Sequence, residues 1–289
     1  EAPVTRMVAI FHATTSALNR DVHSGKHPCC WISDGWWSKL KLLLCTISRN
    51  NKKRLKSWYN QLDAFTDLLL QEHDIEISVY ENDSTDGTKE GLKTYVERLA
   101  KKCKTTLTST DLGTEHLVGK EGARVTNIAN ARNACIEQAS SLSEFDKIVF
   151  IETDVLYKPQ QAMEIIHHES DIVSGYTTNA MGQFYDAWAT RKTSEETWWN
   201  HGIPSEKTDV WSTFNGICVY SAKAFQEGAR FSGVNPRTDE IDCDTTVICE
   251  VFRAMGYANI VMLPINIRHP PTSLKERLYS YKQRLLRRV

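Results

Sequence analysis

An apolar run that stops on acid is the first chemical signal in the chain. Phe145-Asp-Lys-Ile-Val-Phe-Ile-Glu-Thr-Asp-Val155 ends in two carboxylates, Glu152 and Asp154, one residue apart. Hard divalent cations such as Mn2+ and Mg2+ take oxygen ligands and often bridge a protein carboxylate to a diphosphate. Alone, Glu-x-Asp is a weak sign of such a site; its place downstream of a second acidic segment strengthens it. That segment is Glu81-Asn-Asp-Ser-Thr-Asp-Gly-Thr88. Its Asp and Ser residues suit a turn and a helix cap, while a carboxylate there can also accept hydrogen bonds from a base or a ribose. Capping accounts for Ser84 to Gly87 and explains less well why Glu81 comes first.

These segments gain meaning from the elements that must hold them. Lys41-Leu-Leu-Leu-Cys-Thr-Ile-Ser48, followed by Arg49-Asn-Asn51, reads as a buried strand and a turn. Leu55, Trp58, Leu62, Phe65, Leu68 and Leu69 keep helical spacing across 52–71. Strands follow at 75–80, 105–110 and 147–151, separated by helices at 89–101 and 126–140, with a further helix at 159–167. Beyond these, 172–176, 216–220 and 260–265 read as strands and 244–255 as a helix. The alternation predicts an α/β domain with a Rossmann-like, mostly parallel central sheet and helices on both faces. Ligands of such sheets bind outside the carboxyl ends of the strands. Ser48-Arg49-Asn50, Glu81–Thr88 and Glu152–Asp154 therefore converge on one rim.

Composition narrows the function class. The chain has 289 residues with 35 basic and 36 acidic side chains. A net charge of −1 speaks against a nucleic-acid binder that relies on a strong positive field. No apolar run approaches the length of a membrane span. The first residue is Glu1, so the expectation is a processed or trimmed product with any targeting segment upstream. Eight cysteines admit disulfides, the adjacent Cys29–Cys30 pair being the unusual feature, but no CxxC suggests a zinc ribbon. Cys45, Cys135, Cys218 and Cys249 sit in apolar runs and read as small core residues. Residues 1–40, with His12, His23, His27 and Trp31, Trp36 and Trp37, read as a segment that wraps a 41–270 domain. Residues 271–289 form a basic amphipathic tail, either a solvated helix or a contact for anionic lipid or a partner.

The motifs, in their order, resemble a known family. Leu42-Leu-Leu-Cys-Thr-Ile-Ser-Arg-Asn50, Val79-Tyr-Glu-Asn-Asp-Ser-Thr-Asp-Gly-Thr88, Ala129-Asn-Ala-Arg-Asn133 and Phe150-Ile-Glu-Thr-Asp154 are similar to nucleotide-sugar glycosyltransferases of the GT-A fold. Tyr185-Asp-Ala-Trp-Ala-Thr-Arg191, Phe214-Asn-Gly-Ile-Cys-Val-Tyr220 and Glu240-Ile-Asp-Cys-Asp-Thr-Thr-Val-Ile-Cys-Glu250 narrow the resemblance. They point to the fungal capsule-associated α-1,3-mannosyltransferases, glycosyltransferase family 69. The resemblance covers about 41–270 and departs at the metal motif, Glu-Thr-Asp in place of Asp-x-Asp. Asp154 is then the metal ligand, and Glu152 a second ligand or a contact to ribose or water.

The resemblance implies an enzyme that moves mannose from GDP-mannose to a glycan hydroxyl with retention, using Mn2+ or Mg2+. Ser48, Arg49, Glu81 and Asp83 are expected on the nucleotide. Arg124 and Arg132 are expected as bidentate phosphate clamps, with a surface salt bridge the equal alternative for Arg132. His269 is either a third metal ligand or a loop histidine without a role. Asp186, Trp188 and Arg191 form a polar–aromatic cluster for the acceptor, although core burial is the commoner fate of a tryptophan. Glu240, Asp242 and Asp244 precede a helix whose dipole welcomes acid; three acids exceed that need, so at least one is expected at the reaction centre. Glu240, Asp242 and Asp186 are the catalytic candidates. The rivals are an inverting transferase with another nucleotide sugar and a non-catalytic glycan- or nucleotide-binding module. A nucleotidyltransferase would show a Gly-rich basic loop at the first strand, which Ser48-Arg-Asn-Asn51 is not. The expected location is the Golgi or secretory lumen, with a type II anchor upstream or membrane contact through the tail; a microbial or viral chain would be cytoplasmic.

Overall fold

The computed structural model describes residues 38–117, 119, 121–271 and 275–279. The expected wrapping segment, apart from its last residues, lies outside them, as do Cys29, Cys30 and most of the tail. Lys275–Tyr279 is helical.

The apolar run at Lys41–Ser48 forms β1, buried from Leu42 to Thr46. Its alternate residues serve two cores, as the period of a strand requires. Leu42 and Leu44 pack with apolar residues of α1 (Lys52–Glu72), α2 (Thr88–Leu99) and α4 (Pro159–His167). Leu43 and Cys45 pack with those of α3 (Gly122–Glu137), α5 (Ala222–Gln226) and α6 (Asp244–Ala254). Helices thus cover both faces, which explains why the central strands read as unbroken apolar runs.

The sheet has eight strands in the order β3-β2-β1-β4-β7-β5-β8-β6. They are β2 (Asp74–Asn82), β3 (Lys104–Thr110), β4 (Lys147–Ile151), β5 (Ile172–Thr178), β6 (Thr208–Asp209), β7 (Ile217–Ser221) and β8 (Ile260–Arg268). The first four in sequence are mutually parallel, and β5 is parallel to β8. β7 runs antiparallel between β4 and β5, and β6 antiparallel to β8. The sheet is the mostly parallel one expected. α3 starts at Gly122, four residues earlier than its apolar spacing suggests, and β8 runs on to Arg268. β6 and α5 were not anticipated; two and five residues are too few to show a period.

The six described cysteines are free, and Cys45, Cys135, Cys218 and Cys249 lie in the core. Among the described residues, no helix is long and apolar enough to cross a membrane.

Candidate active site

The carboxyl ends of β1, β2 and β4 open onto one cavity of about 400 Å³, a size typical of small-molecule sites. Ser48, Arg49 and Asn82 line one side, and Glu152, Thr153 and Asp154 the floor. The first half of α3 contributes Arg124, Asn127 and Arg132. The second half of the chain closes it with Tyr185, Asp186 and Trp188, with Phe214 and Asp244, and with His269 just past β8.

Asp154 and His269 meet at the floor, His269 Nε2 lying 3.1 Å from Asp154 Oδ2. His269 is buried, and its ring stacks on Tyr185 with centroids 4.0 Å apart. Burial opposes the imidazolium, yet the hydrogen bond and charge of Asp154, with Glu152 behind, raise its pKa. Glu152 receives a hydrogen bond from Arg132 Nη2 at 3.2 Å. Burial, then the neighbouring charge of Asp154, pushes its pKa up to about 7 despite that guanidinium.

The donor set fits a divalent cation. Glu152, Asp154, Asp186 and Asp244 crowd one cavity against Arg132 and His269, and burial raises the pKa of Glu152 and of Asp186, so a cation there would compete with their protons. His269 Nδ1 has no hydrogen-bond partner among the described residues. The ligand atoms of Glu152, Asp154 and His269 do not all lie within 4.8 Å of one another, so Asp154 and His269 are the pre-positioned pair.

Arg132 is not the surface salt bridge offered as one alternative. It is buried, its Nε 2.8 Å from Asp244 Oδ2 and its guanidinium 4.3 Å from the centroid of Phe214. Burial works against the charge, but Asp244 and Glu152 outweigh it and raise the pKa further. Its Nη1 has no partner among the described residues. Arg132 is therefore a fixed cation under the cavity that holds Asp244 and Glu152 in place, a positioning part not anticipated for it.

Asp186 is set by a turn. Asn215 and Gly216 both take positive φ just before β7, and a Cβ on Gly216 would come 2.5 Å from Val155. In this conformation Asn215 N–H donates to Asp186 Oδ2 at 2.8 Å, and Gly216 C=O accepts from Glu152 N–H at 2.9 Å. The Asn215 side chain bonds Thr177, Thr190 and Thr213. Burial pushes the pKa of Asp186 up to about 6.

Several expected residues do not reach the cavity. Glu81 is fully buried, accepting from Ser84 N–H at 2.8 Å and from the Ser109 hydroxyl. Asp83, at φ 56°, accepts from the N–H groups of Leu112 and Gly113 at 2.7 and 2.9 Å and from the Thr114 hydroxyl. Both are turn anchors with no oxygen left for a base or ribose; Asn82 between them faces the cavity instead. Glu240 is exposed outside the cavity. Asp242 is paired with Arg191 and accepts from Asn235 Nδ2 at 3.0 Å. Neither lines the cavity; of the three acids at the start of α6, Asp244 does. Arg191 goes with Asp242 into that buried pair rather than to an acceptor.

Ser48 lines the cavity, its hydroxyl without a partner among the described residues. Arg49 lines it while donating to Thr114 Oγ1 at 3.0 Å, and Arg124 while donating to Gly119 C=O at 3.0 Å. Sequence reasoning missed Asn82, Asn127, Phe214 and the positioning part of Asn215. Only Asn215 carried a local signal, an Asn-Gly pair entering a strand.

A family model described as Cryptococcal mannosyltransferase 1 matches residues 41–251. No curated protein matches the chain. Among solved structures, a mannosyltransferase from Pyrobaculum calidifontis in complex with GDP-Man and Mn2+ matches at a TM-score of 0.52 and 14% identity, over 87% of this chain. The match covers 66% of that protein, so this chain spans just under two thirds of its length. Glucosyl-3-phosphoglycerate synthase from Mycobacterium tuberculosis, in complex with Mn2+, uridine diphosphate and glucosyl-3-phosphoglycerate, is 13% identical at a TM-score of 0.42, over 88% of this chain and 83% of that one. The fold is the GT-A fold that the motif order suggested.

Proposed function

The chain belongs to the Cryptococcal mannosyltransferase 1 family, and on that premise we propose that it transfers mannose from GDP-mannose to a glycan hydroxyl, with retention and with a divalent cation. The observation that carries the reading is the Asp154–His269 pair at the floor of a cavity built from the carboxyl ends of β1, β2 and β4. The GDP-Man and Mn2+ bound to the Pyrobaculum enzyme support the choice of donor and metal.

When bound, Mn2+ or Mg2+ supplies Lewis-acid neutralisation of the departing diphosphate. Asp154 and His269 would hold it, with the Glu152 carboxyl beside them as a further oxygen donor. Arg132 fixes Glu152 and Asp244 so that neither collapses onto the ligand side. Ser48, Arg49 and Asn82 line the nucleotide side, and Arg124 stands at the start of α3 for phosphate. Tyr185 and Trp188 give aromatic faces for the apolar side of a sugar ring. In the retaining reading, Asp186 orients the acceptor hydroxyl and stabilises charge developing at the anomeric carbon.

The inverting alternative draws on one observation. A cavity-facing carboxyl with a pKa near 6 suits a general base, and Asp186 is that group. Anomeric analysis of the product by NMR separates the two. The donor is tested by thermal shift with GDP-mannose and UDP-sugars, with and without Mn2+, since a ligand of the folded state raises its stability with occupancy. Stabilisation by GDP-mannose that depends on Mn2+ supports the reading; a response confined to UDP-sugars sinks the mannose donor, and binding without turnover leaves a binding module. We assign the reaction to the 41–270 domain. We propose the Golgi or secretory lumen as its place of action.

A further inference from the structure

Where α1 and α4 end and β2 begins, at the opposite ends of the strands from the cavity, three metal-binding side chains face one another. Glu72 closes α1, His73 precedes β2 and His167 closes α4. His167 Nε2 lies 2.9 Å from Glu72 Oε2, His73 Nε2 lies 3.4 Å from His167 Nε2, and His73 Nε2 lies 4.0 Å from Glu72 Oε2. The centre of such a triangle is about 2.0 Å from each corner, the length of a zinc bond to imidazole or carboxylate. Ligands on a tetrahedral zinc stand about 3.3 Å apart, so Glu72 and His73, at 4.0 Å, must close by about 0.7 Å for the ion to take a tetrahedral place.

Within this trio two contacts compete for one ring nitrogen. His167 Nε2 can donate to Glu72 or accept from His73, but a single ring nitrogen cannot do both. Leu40 N–H approaches His73 Nδ1 at 3.4 Å, a long contact that leaves the proton of a neutral His73 on Nε2, inside the triangle. One cation at the centre would satisfy all three donor atoms, with the His73 proton moved to Nδ1 at the expense of that long contact.

We propose that Glu72, His73 and His167 bind one zinc-class transition-metal ion, water completing the tetrahedron, and that the ion ties the ends of α1 and α4 to the start of β2. The donor set selects the class. Two imidazoles and one carboxylate suit Zn2+, Cu2+ or Ni2+, whereas Mg2+ and Ca2+ prefer oxygen ligands throughout. Lys147, which donates to the carbonyls of Ile166 and His168 at 2.6 and 3.1 Å, opposes any cation here, and the Glu72 carboxylate offsets it. His73 is buried, while Glu72 and His167 reach the surface, so an ion and its water can enter from solvent. The site is separate from the Asp154–His269 floor and stands whether or not the transfer reading does.

The test is zinc stoichiometry of the full chain, measured by competition with a chromophoric chelator and by thermal shift with ZnCl2. H167A and E72Q are compared with the wild type and with D154A, which controls for zinc taken up at the cavity. The expected result is one equivalent of zinc lost, or bound at least tenfold more weakly, in H167A and in E72Q, and retained in D154A. Zinc should raise the melting temperature of the wild type and of D154A but not of the double variants D154A/H167A and D154A/E72Q, and Co2+ should give the visible bands of a four-coordinate ion in D154A but not in those double variants. E72Q preserves shape and decides the matter if H167A folds poorly, as circular dichroism will show. Equal zinc affinity and stoichiometry in D154A and in a folded D154A/E72Q double variant would overturn the proposal.

Discussion

Glu81-Asn-Asp83 and Glu152-Thr-Asp154 end neighbouring parts of one sheet with the same pattern of carboxylates, yet they do opposite work. After β2 the chain itself consumes the acid. Glu81 takes Ser84 N–H and the Ser109 hydroxyl, and Asp83 takes the start of the loop after β3. Burial works against the Asp83 carboxylate, but hydrogen bonds from Thr114, Asn82, Gly113 and Leu112 hold its pKa well below the usual range. After β4 the donors are few and the neighbours are acids, so Glu152 keeps its proton up to about 7. What separates a turn anchor from a ligand site is the supply of N–H groups, not the residue types.

The largest expected effect breaks the comparison on the side of activity. Asp154→Ala should lower Mn2+-dependent transfer about a hundredfold or more, the scale of losing one electrostatic contact to the departing group. Asp83→Ala should leave the Mn2+ dependence of the remaining activity as it was; a lost Mn2+ response there would put both segments in the same role. Next comes stability. Glu81→Ala leaves the buried Ser84 N–H without its acceptor and should cost about 1–3 kcal/mol in urea denaturation, whereas Glu152→Ala leaves Arg132 paired with Asp244 and should cost less.

A third effect concerns pH. The Asp186 pKa is raised from 3.8 to about 6 by burial. Below about pH 4 both the folded and unfolded chains hold the proton, and the group costs nothing. As the pH rises through about 4 to 6 the unfolded chain ionises first, so stability falls, reaching a loss of order 3 kcal/mol. Asp186→Asn should abolish that fall while keeping the acceptor for Asn215 N–H, and should remove the acid limb near pH 6 from the rate profile. The smallest effect is expected at Glu240: as an exposed side chain, its replacement by Ala should leave turnover unchanged and stability within about 0.5 kcal/mol.

The fold was largely legible because buried parallel strands announce themselves as apolar runs, as at Leu42–Thr46 and Ile148–Ile151. Helices such as α1 show their buried stripe through Leu55, Trp58, Leu62, Phe65 and Leu69. The rim of the cavity followed from topology alone. What stayed hidden was which side chain of a polar segment turns inward. Asn82 rather than Glu81 or Asp83, and Asp244 rather than Glu240 or Asp242, depend on the path of loops whose residues carry no period. The burial of Arg132 also stayed hidden, leaving phosphate clamp and surface salt bridge as equal readings, since nothing in Ala129–Asn133 says that Phe150, Phe214 and Phe231 will enclose it.

The position of β7 bears on how the chain is made. β4 gains its second neighbour only from Ile217–Ser221, after the whole stretch from Glu152 to Gly216 has been synthesised. Until then the apolar edge Ile148–Ile151 stands unpaired, a template for wrong association. β5, which is made earlier, cannot relieve it, because in the finished sheet it pairs with β7 and β8. The floor of the cavity is therefore among the last parts to close, and a chain halted before β7 would carry the Glu-Thr-Asp motif on an open, adhesive edge.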